Sequence, residues 1–172
     1  MPVDDQIALL TQRVGGDRFD RLLSGLDRAA TRGDAERLLR ASEFFRALFE
    51  RQIDWLELEA DLTKSTLSVL FTDFDVRLDP ASSEEAVSAD LRVLRQRAML
   101  HIVWRSFTSQ SGLDETLAAM SALADFVIKV AVRVANTEVT QRFGQPIGDD
   151  TGSVQGLIVI GMGKLGGREL NL

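Results

Sequence analysis

From residue 144 onward the sequence stops reading as helix, and that change of pattern constrains the fold more than any other feature. Residues 144–156 hold four Gly, one Pro and two Asp, the composition of a loop. Leu157-Ile158-Val159-Ile160 follows. Four consecutive β-favouring apolar residues predict a strand buried on both faces. The preceding residues instead carry apolar side chains three and four apart almost throughout. The pattern predicts a mainly α chain: a helical domain over 1–143, a linker loop over 144–156, and the start of a second, sheet-containing domain over 157–172. At 172 residues, and about 100–200 residues per domain, the length admits one domain, or one and part of another.

Within the helical region, the spacing predicts short helices over Asp5–Val14 and Asp17–Ala30, separated by Gly15-Gly16. Gly33-Asp34 offers a stop and an N-cap for a longer helix over 34–60. Its Phe44, Phe45, Phe49 and Trp55 recur at helical spacing and read as core. Residues 62–78 are mixed; there Asp73-Phe74-Asp75 spells an Asp-x-Asp that could ligate Mg²⁺. The plainer reading is two acids near a helix end, before a loop at Asp79-Pro80. Ser82 and Glu85 match a capping box opening a helix to about Phe107, with Leu91, Leu94, Ala98 or Met99, Ile102 and Phe107 on its buried stripe. Arg92, Arg95, Arg97 and Arg105 concentrate here beside His101 and Trp104. They are the first place to seek phosphate contacts, although a solvated, ion-paired helix face explains them better, and His101 reads as structural. A long helix over 114–142 follows. Its apolar face is drawn from Leu117, Met120, Ala124, Val127, Ile128, Ala131, Val134 and Ala135, and Gly144 and Pro146 stop it.

Composition excludes several chemistries. With no Cys and one His there is no disulfide framework, no thiol nucleophile and no multi-His metal site; a metal would have to be a hard ion on carboxylates. The net charge is −6, with residues 1–80 at −5 and 113–172 at −2. Non-specific nucleic-acid binding needs many Lys/Arg–phosphate contacts, so nucleic acid is not an expected partner, whereas a small phosphorylated ligand in a local pocket is compatible. The acidic start lacks the features of a signal peptide, and no run of about 18 uncharged apolar residues exists to span a membrane. A soluble protein of a reducing compartment is expected, with no membrane partner.

The motif that carries chemistry is Gly161-Met162-Gly163-Lys164-Leu165-Gly166-Gly167-Arg168-Glu169-Leu170. Glycines at this spacing after a strand let backbone N–H groups approach phosphate oxygens without a Cβ in the way, and Lys164 and Arg168 add positive charge. Gly161, Gly163 and Gly166 satisfy the G-x-G-x-x-G dinucleotide fingerprint, but its βαβ context cannot be completed in the six residues after Gly166. A P-loop fails, because Lys164 is followed by Leu165 rather than Ser or Thr.

The run GMGKLGGRELNL resembles the motif that opens each catalytic half of the bifunctional glutamine synthetase adenylyltransferase/adenylyl-removing enzymes, members of the polymerase-β-type nucleotidyltransferases. LRQRAMLHIVWRSF, GLDETLAAMSALAD and the Phe143–Pro146 turn resemble that family's upstream segments. The pattern departs at Ala98 and Ser106, where the family often has an acid. The Ser-Asp-x-Asp that follows the motif in the family does not occur before Leu172. The resemblance implies an N-terminal helical domain followed by the first strand and glycine loop of a truncated α+β nucleotidyltransferase domain. It also implies a role in removing AMP from a tyrosine of glutamine synthetase by phosphorolysis, since the motif lies about 160 residues after Met1, as in the N-terminal half. Glutamine synthetase, the PII signal protein, ADP or ATP and phosphate would be partners in the cytoplasm. Mg²⁺ would be the family's cofactor, its ligands lying outside these residues. Gly161, Gly163, Lys164, Gly166 and Arg168 would bind phosphate; no catalytic or metal-ligating residue is assigned, and the fragment alone is expected to be inactive. The alternative is a helical interaction module or inactive remnant with a glycine-rich tail.

Overall fold

The computed structural model describes residues 2–27, 33–58, 67–79 and 82–171. Those residues form α1 (Val3–Val14), α2 (Gly16–Asp27), α3 (Asp34–Ala41), α4 (Glu43–Arg51), α5 (Ile53–Leu58), α6 (Leu67–Arg77), α7 (Glu84–Phe107), α8 (Leu113–Phe143) and a single turn, α9 (Gly163–Gly166). The predicted continuation of the second helix to Ala30, the end of the 34–60 run, residues 62–66 and Pro80 lie outside the described residues.

Local chemistry accounts for the boundaries. Ile7, Leu10 and Val14 bury one face of α1, and Gly15, at φ +91°, ends it in a conformation open to glycine. Phe19, Leu22 and Leu26 repeat the spacing in α2. The Asp27 carboxylate accepts from the N–H groups of Gly33 (2.7 Å) and Ala35 (3.0 Å), tying the end of α2 to the start of α3. Asp34 is therefore not a cap: it lies inside α3, behind Gly33, and pairs with Arg37.

The long helix predicted over 34–60 is three helices. Ser42 takes an extended conformation, and its Oγ accepts from the Phe45 N–H at 3.1 Å, capping α4. This is the preference of Ser for a cap over a helix interior. Gln52 makes the second break, donating to Gln96 (2.7 Å) and accepting from Arg97 Nε (3.1 Å). The breaks let Phe45, Phe49 and Leu56 all reach the core, each at most 1% exposed. Phe45 lies 6.5 Å from the rings of both Phe49 and Trp104, which joins α4 to α7. Trp104 is fully buried, and its Nε1 has no hydrogen-bond partner among the described residues. Phe44, also placed on the predicted stripe, is 44% exposed.

The cap of α7 falls one residue later than the capping box suggests. Ser83 Oγ accepts from Ala86 N–H at 3.2 Å. Leu94, Ala98, Met99 and Ile102 are buried as expected, while Phe107 is 39% exposed. α8 packs on α7 and, through Phe126, on α6. Phe126 stacks on Phe71 with centroids 4.3 Å apart and meets Phe74 edge-on at 5.8 Å.

At 31 residues, α8 is roughly 46 Å long, and most of its last residues, 135–143, are exposed. Its buried positions are Thr116, Ser121, Leu123 and Val130; of the predicted stripe Met120, Val127 and Val134 pack partly buried against the core, while the buried side is rotated so that Ala131 and Ala135 face out.

The predicted strand does not form. Leu157, Ile158, Val159 and Ile160 are 52–82% exposed and belong to no strand. A strand exists only where another backbone takes its N–H and C=O groups, and no described residue does so here. The β pairing among the described residues is one antiparallel bridge, Ile147 with Val154, inside the stretch expected to be an irregular loop. It is closed by Gly148 N–H to Ser153 O (2.9 Å) and Gln155 N–H to Pro146 O (2.8 Å).

Most ion pairs are exposed and contribute little. The best formed is Arg18, whose guanidinium donates to Glu57 (2.7 and 2.8 Å) and Asp54. Those bonds push the arginine further toward its charged form and hold the Glu57 carboxyl below the usual carboxylate range.

Candidate functional site

All five residues singled out for phosphate binding fall in one exposed turn at the outer end of the chain. Met162 is extended, and Gly163 enters α9 at φ +58°, a left-handed conformation that glycine adopts readily. The turn then folds back on itself. A Cβ on Gly166 would stand 2.6 Å from the carbonyl O of Gly161, so the two backbones meet at a distance no other residue permits. Three further bonds lock the turn: Gly167 N–H to Gly163 O (2.9 Å), Arg168 N–H to Leu165 O (3.1 Å) and Glu169 N–H to Lys164 O (2.7 Å).

The glycine spacing therefore does bring Gly161, Gly163 and Gly166 together, although not behind a strand. Lys164 donates to Asn171 Oδ1 at 3.3 Å. Arg168 has φ +58°, which costs an L-residue about 1–3 kcal/mol. Its guanidinium reaches to 3.9 Å from Asp125 on α8.

That contact marks where the tail lies along the helix. Between them runs a groove of about 450 Å³ whose lining includes Asp125, Lys129, Arg133 and Asn136 from α8, and Gly161 and Leu165 from the tail. None of the four α8 positions stood out in the sequence. The signal available was the charge sequence Asp125, Lys129, Arg133 at i, i+4, i+8, which places one acid and two bases on one face of a helix. Arg133 also donates to Asp75 Oδ1 at 2.7 Å. Both residues line a larger cleft of about 630 Å³ beside α6 and α7, where Asp79, Glu84 and Glu138 make the surroundings acidic.

The basic residues of α7 do not converge on a ligand. Arg92 donates to Ser88, Arg97 donates to Gln52 and lies over Trp55, and Arg105 pairs with Glu115 at 2.6 Å. His101 is buried at 4% exposure in the helical core. Of the Asp-x-Asp acids, Asp75 has its carboxylate engaged by Arg133. Among the described residues no group of three His, Cys, Asp or Glu could hold a metal ion, and Glu169 is the one acid in 157–171. No donor set among the described residues suits a Mg²⁺ ion.

The family model for glutamate-ammonia ligase adenylyltransferase matches residues 32–172, which takes in α3 to α8 and the whole glycine turn. Among curated relatives, the bifunctional glutamine synthetase adenylyltransferase/adenylyl-removing enzyme of Shewanella loihica is 38% identical over 137 residues, 80% of this chain and 13% of its own length. The enzyme of the same name from Ralstonia nicotianae is 34% identical over 138 residues, 78% of this chain and 14% of its own. That of Thioalkalivibrio sulfidiphilus is 48% identical over 91 residues, 53% of this chain and 9% of its own. The chain thus spans about a seventh or less of the length of these relatives. No solved structure matches. The match covers most of the chain, from α3 to the glycine turn, and the chain belongs to the glutamate-ammonia ligase adenylyltransferase family.

Proposed function

We propose that this chain serves the removal of AMP from glutamine synthetase, and that Gly161, Gly163, Lys164, Gly166 and Arg168 hold phosphate oxygens for that reaction. The observation that carries the reading is that Gly161 O lies where a Cβ on Gly166 would come within 2.6 Å of it, so that only glycine closes the turn, inside the span matched by the family model. In phosphorolysis an oxygen of inorganic phosphate attacks the phosphorus of the tyrosine-linked AMP. The P–O bond to tyrosine breaks, the tyrosine oxygen takes up a proton, and ADP leaves. The residues of the turn contribute binding and orientation. Three glycines keep side chains off the backbone where phosphate approaches, and Lys164 and Arg168 offset its charge.

Lys164 is a cation and cannot stand in for carboxylate metal ligands, so the 172 residues alone are expected to bind phosphates without turning over. Mg²⁺ is the cofactor that the same reading expects, and no residue of the turn is proposed as its ligand. Glutamine synthetase as the protein substrate, PII as a regulator, ADP or ATP as ligands and a cytoplasmic setting follow from the same reading. No described helix is long and apolar enough to cross a membrane.

A helical interaction module is the second reading, favoured by the exposure of Leu157–Ile160. Incubating the 172-residue protein with adenylylated glutamine synthetase, phosphate and Mg²⁺ tests the first. We expect no ADP release by the protein alone, and release when it replaces the matching segment of the Shewanella loihica relative. Mg²⁺-dependent release by the 172 residues alone contradicts the first part. A swap that never removes AMP favours the second reading.

A further inference from the structure

Residues 113–172 contain five basic side chains, Lys129, Arg133, Arg142, Lys164 and Arg168, and three of them, Lys129, Arg133 and Arg168, gather at one place. Lys129 and Arg133 line the groove between α8 and the tail. Arg168 reaches Asp125 on its rim, and Lys164 stands in the turn whose Gly161 and Leu165 form the opposite wall. In a chain of net charge −6, this is a local reversal of sign, and a concave surface concentrates the field of such charges.

We propose that the groove is an anion site for the phosphates of a nucleoside diphosphate, with Lys129 and Arg133 of α8 as its charged wall facing Gly161. The proposal rests on the reading of the glycine turn as a phosphate loop and adds to it a second wall from the helical body. Three observations carry it. The groove, at about 450 Å³, matches the size of small-molecule sites. Its polar lining is two cations, one amide (Asn136) and one acid, a set that favours an anion. The Arg133–Asp75 pair is about half exposed on both sides, and such pairs are weakly held. Arg133 is therefore free in energetic terms to turn from Asp75 to a ligand of higher charge. Asp125 works against an anion, and by holding Arg168 it keeps that guanidinium at the rim until a phosphate displaces it.

Titrating ADP onto the 172-residue protein, with adenosine as the phosphate-free control, tests this. Lys129→Ala is expected to weaken ADP binding about tenfold, the worth of one charge-assisted hydrogen bond. It should leave adenosine unaffected. Asp125→Asn is expected to tighten ADP binding two- to threefold, a change of opposite sign that a purely structural role would not give. Arg133→Gln, made together with Asp75→Asn so that no acid loses its partner, is expected to weaken ADP binding relative to Asp75→Asn alone. Added salt is expected to weaken binding of the unaltered protein. Lys164→Ala separates the glycine turn from the α8 wall. If Lys164→Ala weakens binding and Lys129→Ala does not, the α8 wall is refuted and the phosphate loop stands. If Lys129→Ala weakens it and Lys164→Ala does not, the groove stands and the loop reading falls. Binding of ADP no stronger than of adenosine refutes both.

Discussion

Replacing Gly166 with Ala tests whether the glycine turn is closed by backbone contact. The new Cβ would stand 2.6 Å from Gly161 O and 3.1 Å from Gly161 C. The first distance is about 0.8 Å short of the 3.4 Å at which ordinary contact begins. Backbone lies on the receiving side, so no side chain can swing away, and the turn has to open. The obstacle is space alone, since Gly166 is not among the glycines with positive φ. Overpacking of this kind costs about 1–3 kcal/mol, which lowers the closed population roughly 5- to 150-fold at 1.36 kcal/mol per decade. The assay is amide hydrogen exchange at Gly167, Arg168 and Glu169, whose N–H groups are bonded only within the turn. Their exchange is expected to accelerate by about that factor. The denaturation midpoint of the helical body should not move, because every residue of the turn but Leu165 is exposed. Gly156→Ala is the control: nothing lies within 4 Å of its Cβ, and no change is expected. Unaltered protection in Gly166→Ala refutes the closed turn; loss of the whole fold refutes its independence from the core.

Three further outcomes follow from the helical body. Phe45→Ala, at a fully buried site, is expected to cost about 3–5 kcal/mol in urea unfolding followed by circular dichroism, and Phe44→Ala, 44% exposed, less than about 1 kcal/mol; equal costs contradict the break at Ser42. Ser83→Ala is expected to lose about 1 kcal/mol as a true N-cap, with Ser82→Ala near neutral in the same unfolding experiment. Glu57 is held below the ordinary value of 4.5 by its bond from Arg18, so its contribution to stability is fully present above that pH and disappears as pH falls through the lower, folded value. A carboxyl NMR titration is expected to show the midpoint rising toward 4.5 in Arg18→Met.

Much of the helical content was legible, because periodicity and breakers act locally. α1, α7 and α8 follow from apolar spacing and from Gly15, Gly112 and Gly144. The breaks at Ser42 and Gln52 were not legible, since both residues are tolerable inside a helix. What selects the break is tertiary: Phe45, Phe49 and Leu56 all reach the core only if the chain turns between them. The rotation of the α8 stripe has a related cause. Its apolar residues cover more than one face, and packing against Phe71 and Phe74 decides which face is buried. Leu157–Ile160 reads as a strand because of its composition, but a ladder needs a partner backbone that composition cannot supply. The glycine turn was legible in kind, since Gly166 has to be glycine for a reason written in its spacing from Gly161. The α8 side of the groove was not: Lys129 and Arg133 acquire meaning only when the tail is laid beside them.

In the proposed function, the turn orients phosphate for removal of AMP from glutamine synthetase. The most direct measurement replaces the matching segment of the Shewanella loihica relative with these residues, with and without Lys164→Met, and follows AMP removal and AMP addition separately. Lys164→Met is expected to lower phosphate-dependent ADP release at least tenfold, while addition of AMP from ATP is unchanged. Equal removal rates with and without the substitution, or a loss confined to addition, would contradict it.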